Sequence, residues 1–376
     1  MEASIRLGTI RGIQLGIHFT WFIALVLFSF LLARGQFPDR FPGWTDTEYW
    51  VVGVTAVLML FVSVVVHEFG HALTAQARGI PVLSITLFIF GGVAALAQES
   101  EDPGDEFLIA IAGPLASVGL AGGFGVLWAI TSQPQLNALF GYLSLINLAL
   151  AIFNMIPGFP LDGGRVLRAI LWKITGNLRR ATRIVTTIGS IIGTLFFVLG
   201  ALAIIEGATF NGVWFIALGW FMQSAAQQGY QQVKQQEMLQ GRAVADIMNV
   251  HPVAVPPDIT VSEFVSAYLL RRTAHGAPVV QDGQVLGIVT ISDVKRCKQE
   301  EWPTTRVSDI MTPFEELHTV DPGTPLNKAL QLMTIHDLHQ IPVLESGRLV
   351  GVLSRADFMR YLQLRSELGI KADGTG

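Results

Sequence analysis

Apolar residues fill six stretches in the first 230 positions of the chain: Phe19 to Ala33, Trp50 to Val66, Phe107 to Ile130, Leu136 to Ile156, Ile184 to Ile205 and Val213 to Met222. A helix of about 20 predominantly apolar residues crosses a bilayer, so this pattern predicts a polytopic α-helical membrane protein with six transmembrane helices. The sixth stretch is short and needs Ser224 to Gln228 to complete it. Between the second and third stretches, Val82 to Phe90 is rich in strand formers, and Gly91-Gly92 precedes Val93 to Ala97. That segment predicts a short membrane-associated β-hairpin, which must be covered by protein or face a cavity because an open strand edge is costly in lipid.

Near residue 230 the pattern changes. A Gln-rich stretch, Gln227 to Gln240, extends the sixth helix, and the chain then repeats itself with a period of about 64 residues. Val244-Ala-Asp-Ile-Met248 recurs as Val307-Ser-Asp-Ile-Met311, Ala274 to Val279 as Leu338 to Val343, and Gly287 to Asp293 as Gly351 to Asp357. Strand signals at Pro278 to Val280, Val285 to Thr290, Ile341 to Leu344 and Leu349 to Ser354 alternate with helical stretches, which predicts two similar α/β units.

The composition, 51% hydrophobic and 14% charged with a mean hydropathy of +0.49, averages over this division. Charge placement says more. Arg6 and Arg11 precede the first span, and Arg165, Arg168, Lys173, Arg179, Arg180 and Arg183 lie between the fourth and fifth. The loops assigned outside carry only Arg34 and Arg40. The positive-inside bias therefore predicts a multi-pass protein of the cell (inner or plasma) membrane, with its amino terminus and its repeated units in the cytoplasm. The alternative, a cleaved signal peptide at the first stretch, lacks a clear small-residue cleavage site. The net charge of -4 says little about partners, and no nucleic-acid partner is expected. Cys297 is the only cysteine, so no intrachain disulfide can form.

The chemistry is concentrated in His67-Glu68-Phe69-Gly70-His71, at the end of the second span. Residues i and i+4 share a helix face, so both imidazoles can meet one zinc ion, with Glu68 beside it as general base for the hydrolytic water. This composition yields only about 0.01 accidental matches to the pattern. Two histidines that cap or pack a helix end are the alternative, but ionisable groups in a span cost roughly 2.5 to 3.5 kcal/mol each at its centre. A third ligand is needed. Asp162, in Asn154-Met-Ile-Pro-Gly-Phe-Pro-Leu-Asp162-Gly-Gly, follows a proline-broken helix end, and a carboxylate there closes a His-His-carboxylate set. A solvated Asp162 in a turn, or His18 as the third ligand, are the other readings.

HEFGH on one span and NMIPGFPLDGG after a later one resemble the site-2 protease family of intramembrane zinc metalloproteases, over roughly residues 1 to 228. The resemblance implies that His67, His71 and Asp162 bind one zinc per chain and that Glu68 is the catalytic base. It also implies that Asn154 lies at the active site, holding substrate or oxyanion. Substrates would be transmembrane segments of membrane proteins, such as anti-sigma factors or signal-peptide remnants. The hairpin edge is then suited to receive a locally unwound substrate by strand addition.

The repeats resemble a tandem cystathionine-beta-synthase (CBS) pair over residues 243 to 363. Such pairs often bind an adenine nucleotide (ATP, ADP or AMP), whereas many bind nothing and merely dimerise, so a homodimer through these units is the other expectation. The resemblance places phosphate and ribose contacts at Thr290 with Asp293 and at Ser354 with Asp357. A hydroxyl suits phosphate, and a carboxylate accepts two ribose hydroxyls. The expected organisation is a membrane domain at 1–228, a linker at 229–242, CBS units at 243–300 and 301–363, and a flexible tail at 364–376. A CBS-regulated transporter or channel, or a catalytically inactive membrane-protein binder, are the rival functions. A transporter explains the spans but not HExxH together with the LDGG aspartate.

Overall fold

The computed structural model describes residues 4–98, 100–239, 241–272 and 276–368. The chain divides into two compact units, 1–233 and 234–376. The repeat positions Ala274 and His275, and tail positions 369–376, lie outside the described residues.

The first unit is built on helices α1 (Thr20–Leu31), α2 (Asp46–Ala77), α3 (Pro103–Ile130), α4 (Pro134–Asn154), α5 (Asp162–Thr175), α6 (Leu178–Ile205) and α7 (Thr209–Leu239). Local chemistry fixes their starts. Thr45 and Glu48 form a reciprocal capping box on α2, and the Asp102 carboxylate accepts from the first N–H groups of α3, with Pro103 at its first position. Among the described residues, five helical segments are long and apolar enough to cross a membrane: Thr20–Arg40, Asp46–Ala77, Pro103–Ile130, Pro134–Asn154 and Leu178–Ile205. Large apolar side chains such as Val62, Val118, Leu145 and Ile191 stand exposed on them, which a bilayer accommodates and water does not.

The sixth expected span lies within α7, which is one continuous helix but is not among those five. Polar residues lower its apolarity, and one of them is bonded to the neighbouring helix: Gln223 Nε2 donates to Thr194 Oγ1 on α6 at 3.0 Å. The two helices pack through glycine, since a methyl group on Gly193 would meet the Gly219 carbonyl and one on Gly219 the Gly193 carbonyl.

The predicted hairpin is half of a larger sheet. β1 (Ile5–Ile10) and β2 (Ile13–Ile17) form an antiparallel hairpin, β2 pairs in parallel with β3 (Val82–Phe88), and β3 pairs antiparallel with β4 (Gly91–Leu96). Gly91 and Gly92 begin β4 rather than forming the turn. The amino-terminal hairpin escaped the sequence reading because Arg11 and Gly12, both at positive φ, form its tight turn without an Asn-Gly or Asp-Gly signal. Ile13, Val82 and Ile85 pack with Ala72 and Ala75 of α2 and Ile109 of α3, so the sheet is seated on the end of α2 that carries HEFGH.

In the second unit, β5 (Gly276–Gln281), β6 (Gln284–Thr290) and β7 (Thr312–Pro313) form one sheet, and β8 (Gln340–Glu345) and β9 (Arg348–Ser354) another. Helix α8 (Ile291–Arg296) follows β6, α9 (Leu326–Ile335) precedes β8 and α10 (Arg355–Glu367) follows β9. The repeat is structural: Val255 bridges Val279 in parallel as Val320 bridges Val343. Within this unit the two repeats exchange their opening segments, because Val244 is buried with Leu326, Ile341 and Phe358, whereas Val307 is buried with Val261, Val279 and Val294.

Candidate metal centre

His67 and His71 project from one face of α2, and Asp162 is the first residue of α5. Their exposures are 4%, 5% and 9%. The three groups converge: Asp162 Oδ2 lies 3.1 Å from His67 Nε2 and 3.2 Å from His71 Nε2, and the two Nε2 atoms are 3.2 Å apart. Among the described residues this is the one cluster of three such side chains able to hold a metal ion.

The other ring nitrogens are committed elsewhere. His71 Nδ1 donates to the Ile109 carbonyl at 2.7 Å, and His67 Nδ1 meets Ser117 Oγ at 2.9 Å, both on α3. A carbonyl only accepts, so neutral His71 carries its proton on Nδ1 and presents a lone pair at Nε2. Lone pairs and a carboxylate facing one another across about 3 Å repel unless a proton or a metal ion lies between them. A tetrahedral zinc with bonds of about 2.0 to 2.1 Å separates its ligand atoms by roughly 3.3 Å, close to the observed spacing. The donor set fits zinc, and the orienting partners on the far nitrogens are those that metal-binding histidines commonly have.

Glycine lets the elements close on this point. A methyl group on Gly113 of α3 would collide with Nε2 of both His67 and His71. One on Gly70 would lie 2.8 Å from the Ala112 carbonyl, so α2 and α3 touch backbone to backbone beside the site. Gly163 and Gly164, after Asp162, abut the backbone of Met155, Ile156, Gly158 and Phe159, which holds the start of α5 against the turn that leaves α4. Glu68 is half-buried, and a methyl group on Gly92 of β4 would come within 2.6 Å of its Cγ, so the sheet edge passes directly over the candidate base.

Not every predicted residue joins this cluster. His18 lies 2.9 Å from Thr20 Oγ1 and accepts from the Thr20 backbone N–H, so it caps α1. Asn154 is the last residue of α4 and half-buried. In the second unit, Thr290 and Asp293 bind each other, with the hydroxyl donating to Asp293 Oδ2 at 2.7 Å, and Ser354 donates to Asp357 Oδ2 at 2.6 Å. Thr290 and Asp293 form a capping box at the start of α8, and the Ser354–Asp357 bonds repeat that arrangement at the start of α10. Sequence reasoning missed Ser117, Gly113 and the Ile109 carbonyl. Only the Ala112-Gly113-Pro114 and glycine-rich character of α3 hinted that something packs closely there.

Peptidase family M50 matches residues 55–137 and 120–199, and the CBS domain matches residues 244–300 and 307–364. A Synechocystis protein assigned as a zinc metalloprotease is 35% identical over 96% of this chain and 96% of its own length. A zinc metalloprotease of Methanocaldococcus jannaschii is 32% identical over 98% of this chain and 99% of its own. The solved site-2 protease from the same organism is 31% identical, covering 60% of this chain and 94% of that chain, with a TM-score of 0.43. Full-length similarity to zinc metalloproteases, on a multi-pass chain whose HExxH helix meets a distant aspartate, means that this protein belongs to the site-2 protease group of peptidase family M50, in the form that carries a CBS-domain pair.

Proposed function

We propose that the protein is an intramembrane zinc endopeptidase that hydrolyses peptide bonds in transmembrane segments of other membrane proteins. The observation that carries this reading is the convergence of His67 Nε2, His71 Nε2 and Asp162 Oδ2 on one point beside Glu68. These three residues hold the metal. Zinc, when bound, supplies Lewis acidity to the attacking water and the scissile carbonyl. Glu68 takes the proton from that water and returns it to the leaving amine, and its half-buried position under β4 keeps it within the protein while leaving it reachable. Asn154, eight residues before Asp162, contributes an amide to hold substrate or oxyanion. The edge of β4 accepts the unwound substrate as an added strand, because a helix must open its internal bonds before a backbone carbonyl can be attacked. Six crossings, α7 supplying the last, place the amino terminus and CBS pair in the cytoplasm, as the basic residues favour.

The test is detergent-purified protein assayed for zinc and for cleavage of a single-span substrate. About one zinc per chain is expected, with cleavage abolished by chelation and restored by zinc. Ala94→Pro, which removes an N–H that β4 turns away from β3, is expected to slow cleavage about tenfold or more if that edge receives substrate. Zinc-free yet folded and active protein refutes the zinc-dependent reading, and an unchanged rate in Ala94→Pro refutes strand addition.

The CBS pair is proposed to sense an adenine nucleotide at Thr290 with Asp293 and at Ser354 with Asp357. Because each hydroxyl is bonded to its own carboxylate, ligand entry requires the hydroxyl to turn from carboxylate to phosphate. Calorimetric titration with ATP, ADP and AMP is expected to give binding that Asp293→Ala weakens. No heat with any of the three rejects nucleotide sensing.

A further inference from the structure

A charged pair lies buried beside the metal cluster and takes no part in the chemistry above. Glu106, in the first turn of α3, is 2% exposed, and Arg168, on α5, is 5% exposed. Nε and Nη2 of Arg168 both donate to Glu106 Oε1. The guanidinium carbon also sits 6.0 Å from the centre of the Phe159 ring, in the turn between α4 and α5. That turn is fixed on its other sides: Phe159 N–H donates to the Val185 carbonyl at 3.2 Å, its carbonyl abuts Gly189 and its ring abuts Gly229.

The positions of the partners give the pair its meaning. Glu106 stands three residues before Ile109, whose carbonyl orients His71, on the helix that also supplies Ser117 to His67. Arg168 stands on the helix that Asp162 begins, and Phe159 stands three residues before Asp162. The ion pair thus joins the helix that aims both histidines to the helix that delivers the carboxylate. Both partners of this ion pair are nearly sealed from solvent, unlike the exposed pair Arg34–Asp46. Removing either partner of a buried pair leaves an uncompensated charge in the interior, so the two side chains must stay together.

We propose that Glu106, Arg168 and Phe159 are positioning residues that hold Asp162 in register with His67 and His71, so that metal affinity depends on them although none touches the metal. The proposal rests on the metal-site reading above. An ammonium cannot reproduce the planar guanidinium that forks onto the carboxylate and faces the ring, so Arg168→Lys preserves both charges yet loosens the clamp.

The full-length protein, stripped of metal, is titrated with zinc against a competing chelator, and its cobalt(II) absorption spectrum is recorded. Wild type is compared with Glu106→Gln, Arg168→Lys and Phe159→Leu in folded, monodisperse fractions. Zinc affinity is expected to fall about tenfold or more in Glu106→Gln, as when other outer partners of metal sites are lost, and by a smaller factor in the other two. The cobalt ligand-field bands are expected to shift in all three. Wild-type affinity and spectrum in the folded variants overturn the proposal. If Glu106→Gln does not fold, Arg168→Lys decides it on the same terms. Wild type and His71→Ala binding zinc alike would instead overturn the metal site, and this proposal with it.

Discussion

Glu68→Gln is expected to retain about one zinc per chain and to lose cleavage by a factor of about 10² to 10⁴, the usual worth of a general base. That factor corresponds to about 2.7 to 5.5 kcal/mol of barrier. The substitution is nearly isosteric, so packing against Gly92 survives, and His67, His71 and Asp162 keep their mutual spacing. What disappears is a carboxylate able to take a proton from water and return it to the amine. Zinc content and single-turnover cleavage of a single-span substrate, measured on the same preparation, check the two halves separately. Turnover within tenfold of wild type would remove Glu68 from the role.

Gly113→Ala is expected to cost the metal itself. The added methyl would overlap Nε2 of His67 and His71, the atoms that must approach the ion. Helix α3 cannot relax toward α2, because Ala112 already meets the backbone at Gly70. Nor can it recede without dragging Ser117 and the Ile109 carbonyl off the histidine Nδ1 atoms. Either response spoils the site, and zinc affinity is expected to fall by about 100-fold, beyond the loss of a single orienting partner. Equilibrium zinc titration tests this, with thermal unfolding of the metal-free forms as a check on the fold. Equal zinc affinity in Gly113→Ala would mean that the ion sits elsewhere.

The three converging side chains were legible because the two motifs carry their own geometry. HExxH needs only helical periodicity to bring His67 and His71 together, and the Pro157, Gly158 and Pro160 breaks announce that the chain turns before Asp162. The orienting groups were not legible, since a backbone carbonyl has no sequence signature and Ser117 looks like any small residue in a glycine-rich span. The four-stranded sheet was half visible. β3 has a strand composition, but β2 joins it in parallel across two helices, and such pairing leaves no local mark. The CBS repeat was read from matching segments, whereas the exchange of Val244 and Val307 between the two cores is a tertiary fact that a linear division at residues 300 and 301 conceals. The span limits fared least evenly, because polar residues such as Gln223, which bonds to Thr194 of α6, lower the hydropathy of α7.

The parallel pairing of β2 with β3 also governs how the protein can be made. The β1–β2 hairpin is synthesised before its partner strand β3, which follows only after α1 and α2. Until then β2 carries an unsatisfied edge, and the helix bearing HEFGH is made without the sheet seated on it. Assembly of the sheet is therefore a late event, coupled to the insertion of α2 and the return of the chain. The newly made protein stays without a strand over Glu68 until β4, which follows its second span, has been made and paired.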